Sequence, residues 1–142
     1  MVAYAKMKSM FFDRKAVINA VDKTTRKVFS KFGAFVRTTA RHSIKKRKSS
    51  SPPGSPPSSH TGLLKKFIFF GYDKDAKSVV IGPAKLSTGT EAPHTLEHSG
   101  VTTVTSGSKK HKAHIKARPY MGPAFETEKE KLPSMWKDSI KR

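Results

Sequence analysis

The sequence predicts an α+β fold in which a long N-terminal helix packs on a small antiparallel β-sheet and a C-terminal helix follows. Three observations predict it. Apolar residues recur at helical spacing across residues 13–46, two aromatic and β-branched runs flank a turn between 63 and 82, and a charge-polarised segment fills 123–140. At 142 residues the chain suits a single domain, 1–142, with one modest core.

The helix over 13–46 rests on Val17, Val21, Val28, Phe32 and Phe35, a stripe widened by Ile18, Phe29, Val36, Ala40 and Ile44. Asn19, Lys23, Arg26, Ser30, Arg37 and Arg41 fall on the opposite side. Asp13 is the expected N-cap, and a basic run ends the helix where the dipole favours cations. Gly33 argues against continuity, because an interior glycine costs about 1 kcal/mol relative to alanine. A helix of this span is roughly 50 Å long, which suits packing across a subunit boundary.

Residues 49–59, SSSPPGSPPSS, predict a flexible or polyproline-like loop that builds no core and gains contacts only on assembly. The antiparallel sheet is expected over 63–116. LLKKFIFFGY at 63–72 reads as a strand or as a short helix entering one, and KSVVIG at 77–82 as its partner across a turn at 72–76. A third strand is expected to include 95–98 and a fourth to begin at 101–104, with a polar hairpin tip at 106–112. Pro123 suits the first turn of the C-terminal helix over 123–140, and Pro133 predicts a kink or break in it.

Charge is the strongest compositional signal, with 29 Lys and Arg against 10 Asp and Glu, a net of +19. Residues 1–50 alone carry 14 basic and 2 acidic groups, a balance of +12. Such an excess favours polyanions, nucleic acid or acidic protein alike. Arg37, Arg41, Lys45, Lys46, Arg47 and Lys48 are the candidate contacts to DNA or another polyanion. No zinc-finger, RNP or helix-turn-helix pattern accompanies them, so the expected contact is with the phosphate backbone and indifferent to sequence. The chain has no cysteine and no apolar run of membrane-spanning length. Its N-terminal stretch lacks the apolar core and cleavage site of a secretory signal, so synthesis in the cytoplasm is expected.

Catalytic signals are weak. There is no G-x-S-x-G elbow, and residues 82–90 lack the glycine–lysine–hydroxyl order of a phosphate loop. His94, His98, His111 and His114 invite a metal reading, but solvated histidines on a basic surface are the simpler expectation. No enzyme activity, catalytic residue, cofactor or metal is expected.

Two segments carry a resemblance. One is a proline-rich loop followed by Thr61-Gly62-x-Leu64 and a basic, apolar stretch. The other is Ala117-Arg118-Pro119-Tyr120-Met121-Gly122-Pro123-Ala124-Phe125 before a charged helix. Between them, Glu97 and Gly100 stand where a Glu-x-Gly-like turn is expected, here widened by His98 and Ser99. The ordered set resembles the small neck or tail-completion proteins of long-tailed bacteriophages, the minor tail protein Z type.

That resemblance implies a ring-forming α+β subunit, sixfold, at the head–tail junction of the virion. Its partners there are further copies of itself, the tail terminator or tail tube protein and the head connector or head-closure protein; the charge excess adds nonspecific contact to genomic DNA, and with no apolar run of spanning length no membrane partner is expected. Thr61, Gly62, Leu64, Glu97, Arg118, Pro119, Tyr120, Met121, Pro123 and Phe125 are the implied subunit-interface residues, with packing inside the domain the open alternative for Tyr120, Met121 and Phe125. The alternative, from charge alone, is a sequence-nonspecific nucleic-acid-binding protein.

Overall fold

The computed structural model describes residues 13–84, 92–137 and 139–140. The N-terminal stretch 1–12, most of the segment weighed as a phosphate loop, and Lys141 and Arg142 lie outside the described residues. The architecture is α+β: a long helix, two separate two-stranded antiparallel sheets and short C-terminal helices.

Helix α1, Arg14–Ser43, starts where expected, with the Asp13 carboxylate accepting from the Ala16 N–H at 2.9 Å. It runs unbroken through Gly33 for 30 residues, about 45 Å at 1.5 Å per residue. Val28, Phe32, Val36 and Ala40 are buried at steps of four, and Ile44 continues the row into the C-cap. This seam meets Ile68, Tyr120 and Ala124 to form the core. Burying each large apolar side chain there stabilises the fold by about 1.5–3 kcal/mol. The seam departs from the expected stripe at one end. Val17, Ile18 and Val21 are 46%, 44% and 39% exposed. Phe35, placed in the stripe by its spacing, is also exposed and lies under the ammonium groups of Lys31 and Lys131 at 5.8 and 6.0 Å.

Helix α2, Leu63–Lys66, leads into strand β1, Ile68–Asp73, so the helix-into-strand reading of this stretch is the one that holds. Strand β2, Ser78–Pro83, pairs with β1 in the register Ile68↔Pro83 to Asp73↔Ser78. Asp73 shapes the turn by accepting from the N–H groups of Asp75 and Ala76. Phe70 and Val79 pack directly over Gly33, where a Cβ would fall 2.9 Å and 2.8 Å from their side chains. The glycine that argued against continuity is therefore what lets helix and sheet touch. Gly33→Ala gains about 1 kcal/mol of helix propensity but overpacks at about 1–3 kcal/mol. The expected result is a net loss of up to about 2 kcal/mol in thermal unfolding. A variant more stable than the parent would mean that the β1–β2 hairpin can move away from the helix.

The third strand expected at 95–98 is instead helix α3, Ala92–His98. Proline is tolerated in a first helical turn, and Ser99 and Gly100, at φ 68° and 151°, delay extended structure until after the helix. Strands β3, Gly100–Ser106, and β4, Lys109–Ile115, then form a second hairpin with Gly107 in its turn. The single expected sheet is thus corrected to two, with α3 interposed. The expected polar tip at 106–112 is shorter as well, since Lys109 already belongs to β4.

The C-terminal helix is likewise two: α4, Met121–Lys129, and α5, Leu132–Trp136, with Pro133 in the first turn of the second. Phe29 meets Trp136 and Phe32 meets Phe125, each edge to face at 5.7 Å. Glu128 is buried, accepting from Thr39 at 2.7 Å and from Lys131 at 2.8 Å. The Lys131 bond holds its carboxyl below the usual carboxylate range. Among the described residues no helix is long and apolar enough to cross a membrane.

Candidate functional site

Three segments far apart in sequence converge on the corner before α4. From α3, the Glu97 carboxylate accepts the N–H groups of Tyr120 and Met121 at 2.9 and 3.0 Å through Oε2, and of Gly122 at 2.7 Å through Oε1. It serves as a remote cap for a helix whose own N-cap residue, Tyr120, supplies no capping side chain. Gly122 keeps the approach open, since a Cβ there would lie 3.0 Å from Oε1. The Arg118 N–H donates to the Leu96 carbonyl at 2.6 Å, fixing the same two segments from the other side.

The proline-rich loop is the third segment. Arg118 Nε donates to the Ser51 carbonyl at 2.8 Å, and the Gly54 N–H donates to the Ala117 carbonyl at 2.9 Å. Ser59 N–H donates to the Lys45 carbonyl at 3.0 Å. Pro57 is fully buried, and Ser51 and Ser59 are buried too. The expectation that 49–59 builds no core and gains contacts only on assembly is corrected, because its backbone is tied down within the subunit. Loop, α3 and β4 enclose a shallow cleft of about 240 Å³ lined by Ser51, Pro57, Thr95, Leu96, Ile115 and Arg118.

The implied interface residues separate into two groups. Glu97, Arg118 and Tyr120 brace the subunit itself. Tyr120 is 1% exposed inside the core, so its side chain offers a neighbour no contact. Burial, and secondarily the nearby Glu97 charge, pushes its phenol well above the ordinary tyrosine value. Leu64 and Met121 are half-buried against the core, and Pro119 is half-buried at the corner. Gly62 adopts φ 79°, the left-handed conformation that starts α2, with its N–H donated to Ser59 Oγ. Thr61, Pro123 and Phe125 remain exposed.

The basic residues separate similarly. Arg37 Nε donates to the Ile68 carbonyl at 2.7 Å and joins α1 to β1, and Arg41 is half-buried. Lys45, Lys46, Arg47 and Lys48 are exposed and form no ion pair with a described residue. His94 and His98 lie on one face of α3 with rings 4.9 Å apart. Among the described residues no three or more metal-ligating side chains converge. Sequence reading missed Glu128 and the buried loop residues Ser51 and Pro57. Nothing local marks them, because their partners lie far along the chain. The chain matches no protein-family model, no curated protein and no solved structure.

Proposed function

We propose that this chain is a structural virion protein of the neck of a long-tailed bacteriophage. In this reading it completes the tail and joins it to the head as a subunit of a ring around the DNA channel. It works without catalysis or cofactor. Its neighbours are further copies of itself, six to a ring, the tail terminator or tail tube protein on one side and the head connector or head-closure protein on the other. It is made in the host cytoplasm and resides at the head–tail junction.

The observation that carries this reading is the exposed apolar face on the first turns of α1. Val17, Ile18 and Val21 share one side of a helix about 45 Å long, on which an adjacent subunit can bury them. Thr61, Pro123 and Phe125 keep further surface free. The resemblance of the 56–68 and 117–125 segments supports the same assignment. A second reading, nonspecific binding to nucleic acid, is favoured by the four exposed basic side chains at 45–48.

Native mass measurement of the purified protein tests the choice. The expected species is a closed ring, and replacing Val17 and Val21 by serine weakens the ring about 30-fold or more while leaving the far-ultraviolet spectrum of the subunit unchanged. A protein that stays monomeric at every concentration and instead coats nucleic acid decides for the second reading.

A further inference from the structure

We infer that the β3–β4 hairpin is a DNA-contacting arm that meets the phosphate backbone of duplex DNA. The inference rests on a juxtaposition that only the fold creates. The antiparallel register pairs Thr105 with Lys110, Thr103 with Lys112 and Val101 with His114. Because residues paired across the ribbon, and alternate residues along it, share a face, Lys110, Lys112 and His114 stand in a row on one side. All three are exposed. Successive members of the row are about 7 Å apart at 3.4 Å per residue, close to the separation of successive phosphates along one DNA strand. Lys109 and His111 project from the opposite face, and Lys116 follows at the base.

No acidic residue lies between Glu97 and Glu126, so nothing on the ribbon offsets these charges. Each strand has seven residues, about 24 Å of extended chain, and α3 is the element the ribbon chiefly packs on. A two-stranded ribbon of this kind fits the major groove of duplex DNA. Residues 100–116 contain no Arg, Asn or Gln, so the arm lacks the planar side chains that read base edges with paired hydrogen bonds. Lysine ammonium groups act as point charges and suit phosphate.

The proline-rich loop brings a second basic element alongside. The Ser51 carbonyl is bonded to Arg118, and Lys48 precedes Ser51 by three residues, at most about 11 Å of chain. The basic end of α1 and the base of the arm therefore lie at the same end of the subunit. Acidic protein surfaces would also attract lysines. The alternate-residue spacing and the ribbon's dimensions assign the arm to DNA. This deepens the DNA contact within the proposed function without resting on ring assembly, so failure of one leaves the other standing.

The test is a salt titration of the full chain on two unrelated short duplexes. One variant replaces Lys109, Lys110, Lys112 and Lys116 by glutamine. A second removes the same charge elsewhere, by replacing the exposed Lys15, Lys23, Arg26 and Lys27 of α1 by glutamine. The arm variant is expected to flatten the slope of log affinity against log salt by about 2–3, the share of Lys110, Lys112 and Lys116, and to bind at least roughly ten-fold more weakly at low salt, equally on both duplexes. The α1 variant is expected to change the slope by less than about 1. Equal losses in the two variants, or none in the arm variant, would overturn the assignment. Lysine acetylation of the unmodified protein provides a readout that needs no variant to fold. DNA should slow modification of Lys110 and Lys112, and unslowed modification under saturating DNA sinks the proposal. Equal protection of these lysines by poly-glutamate of matched charge would likewise overturn DNA as the ligand.

Discussion

Tyr120→Ala is expected to destabilise the folded subunit by about 3–5 kcal/mol in denaturant unfolding, the range for removing a buried aromatic side chain from a core. Tyr120 is 1% exposed and belongs to the one core cluster with Phe32, Val36, Ala40 and Ile44 of the α1 seam, Ile68 and Ala124. Removal leaves a cavity that neither the helix nor the corner can close, because Glu97 and Arg118 hold the corner backbone in place. The sequence leaves two roles open for Tyr120, an anchor toward a neighbouring subunit, for which the same variant would assemble poorly yet fold normally, and a core side chain, for which it would lose the fold. Loss of the fold before assembly is now the expected result. Tyr120→Phe separates packing from polarity. The phenol oxygen is buried and has no hydrogen-bond partner among the described residues. Its removal should therefore shift stability by no more than about 1 kcal/mol, in the stabilising direction. A large loss for the phenylalanine variant would reveal a partner for that hydroxyl.

Glu97→Ala should cost about 2–4 kcal/mol, the second largest effect expected. Three backbone N–H groups lose a charged acceptor at once, and each hydrogen bond to a charged group is worth about 1.5–3 kcal/mol when well shielded. The sum is discounted because Glu97 is only half-buried and Gly122 is exposed, so water can replace part of what is lost. Loss of a negative group at the start of α4 adds a few tenths of a kcal/mol. Glu97→Gln keeps one oxygen acceptor and should recover part of the stability. The amide resonances of Tyr120, Met121 and Gly122 should move in both variants, and the effect should be coupled to Tyr120→Ala because both act on the same corner. Unmoved amides in the alanine variant would show that the carboxylate does not cap the helix in solution.

Along the chain, Glu97 and residues 118–120 of the resembling motif read as a contact surface. In the fold they join α3, the proline-rich loop and the entry to α4 inside one subunit. Pro123 and Phe125 follow on an exposed flank. Other apolar side chains left exposed are Val17, Ile18 and Val21 at the start of α1, and Phe69 and Val80 on the outer face of the first hairpin, at 49% and 66% exposed.

What the sequence by itself determined is the set of elements whose signals are local. Four-residue spacing marks α1 from Val28 to Ile44, and Asp13 caps it because its acceptor lies three residues from the donor. The β1–β2 hairpin follows from two apolar runs around an aspartate-led turn, and Pro133 announces the division of the C-terminal helix. Tertiary structure decided whatever depends on a distant partner. Residues 95–98 carry a β-branched threonine and no helical stripe, yet they form helix, and Glu97 from that helix serves an α4 that begins 24 residues later. The loop at 49–59 has the composition of a flexible linker, yet Arg118, 67 residues on from Ser51, donates to its backbone and Pro57 is fully buried. Gly33 weakens the helix by local propensity and is required by the approach of Phe70 and Val79. In each case the local preference is worth about 1 kcal/mol or less per residue, whereas a long-range hydrogen bond to a charged group, or a well-filled core, is worth more. Where those interactions were present the contact prevailed, and neighbouring residues alone give no signal of it.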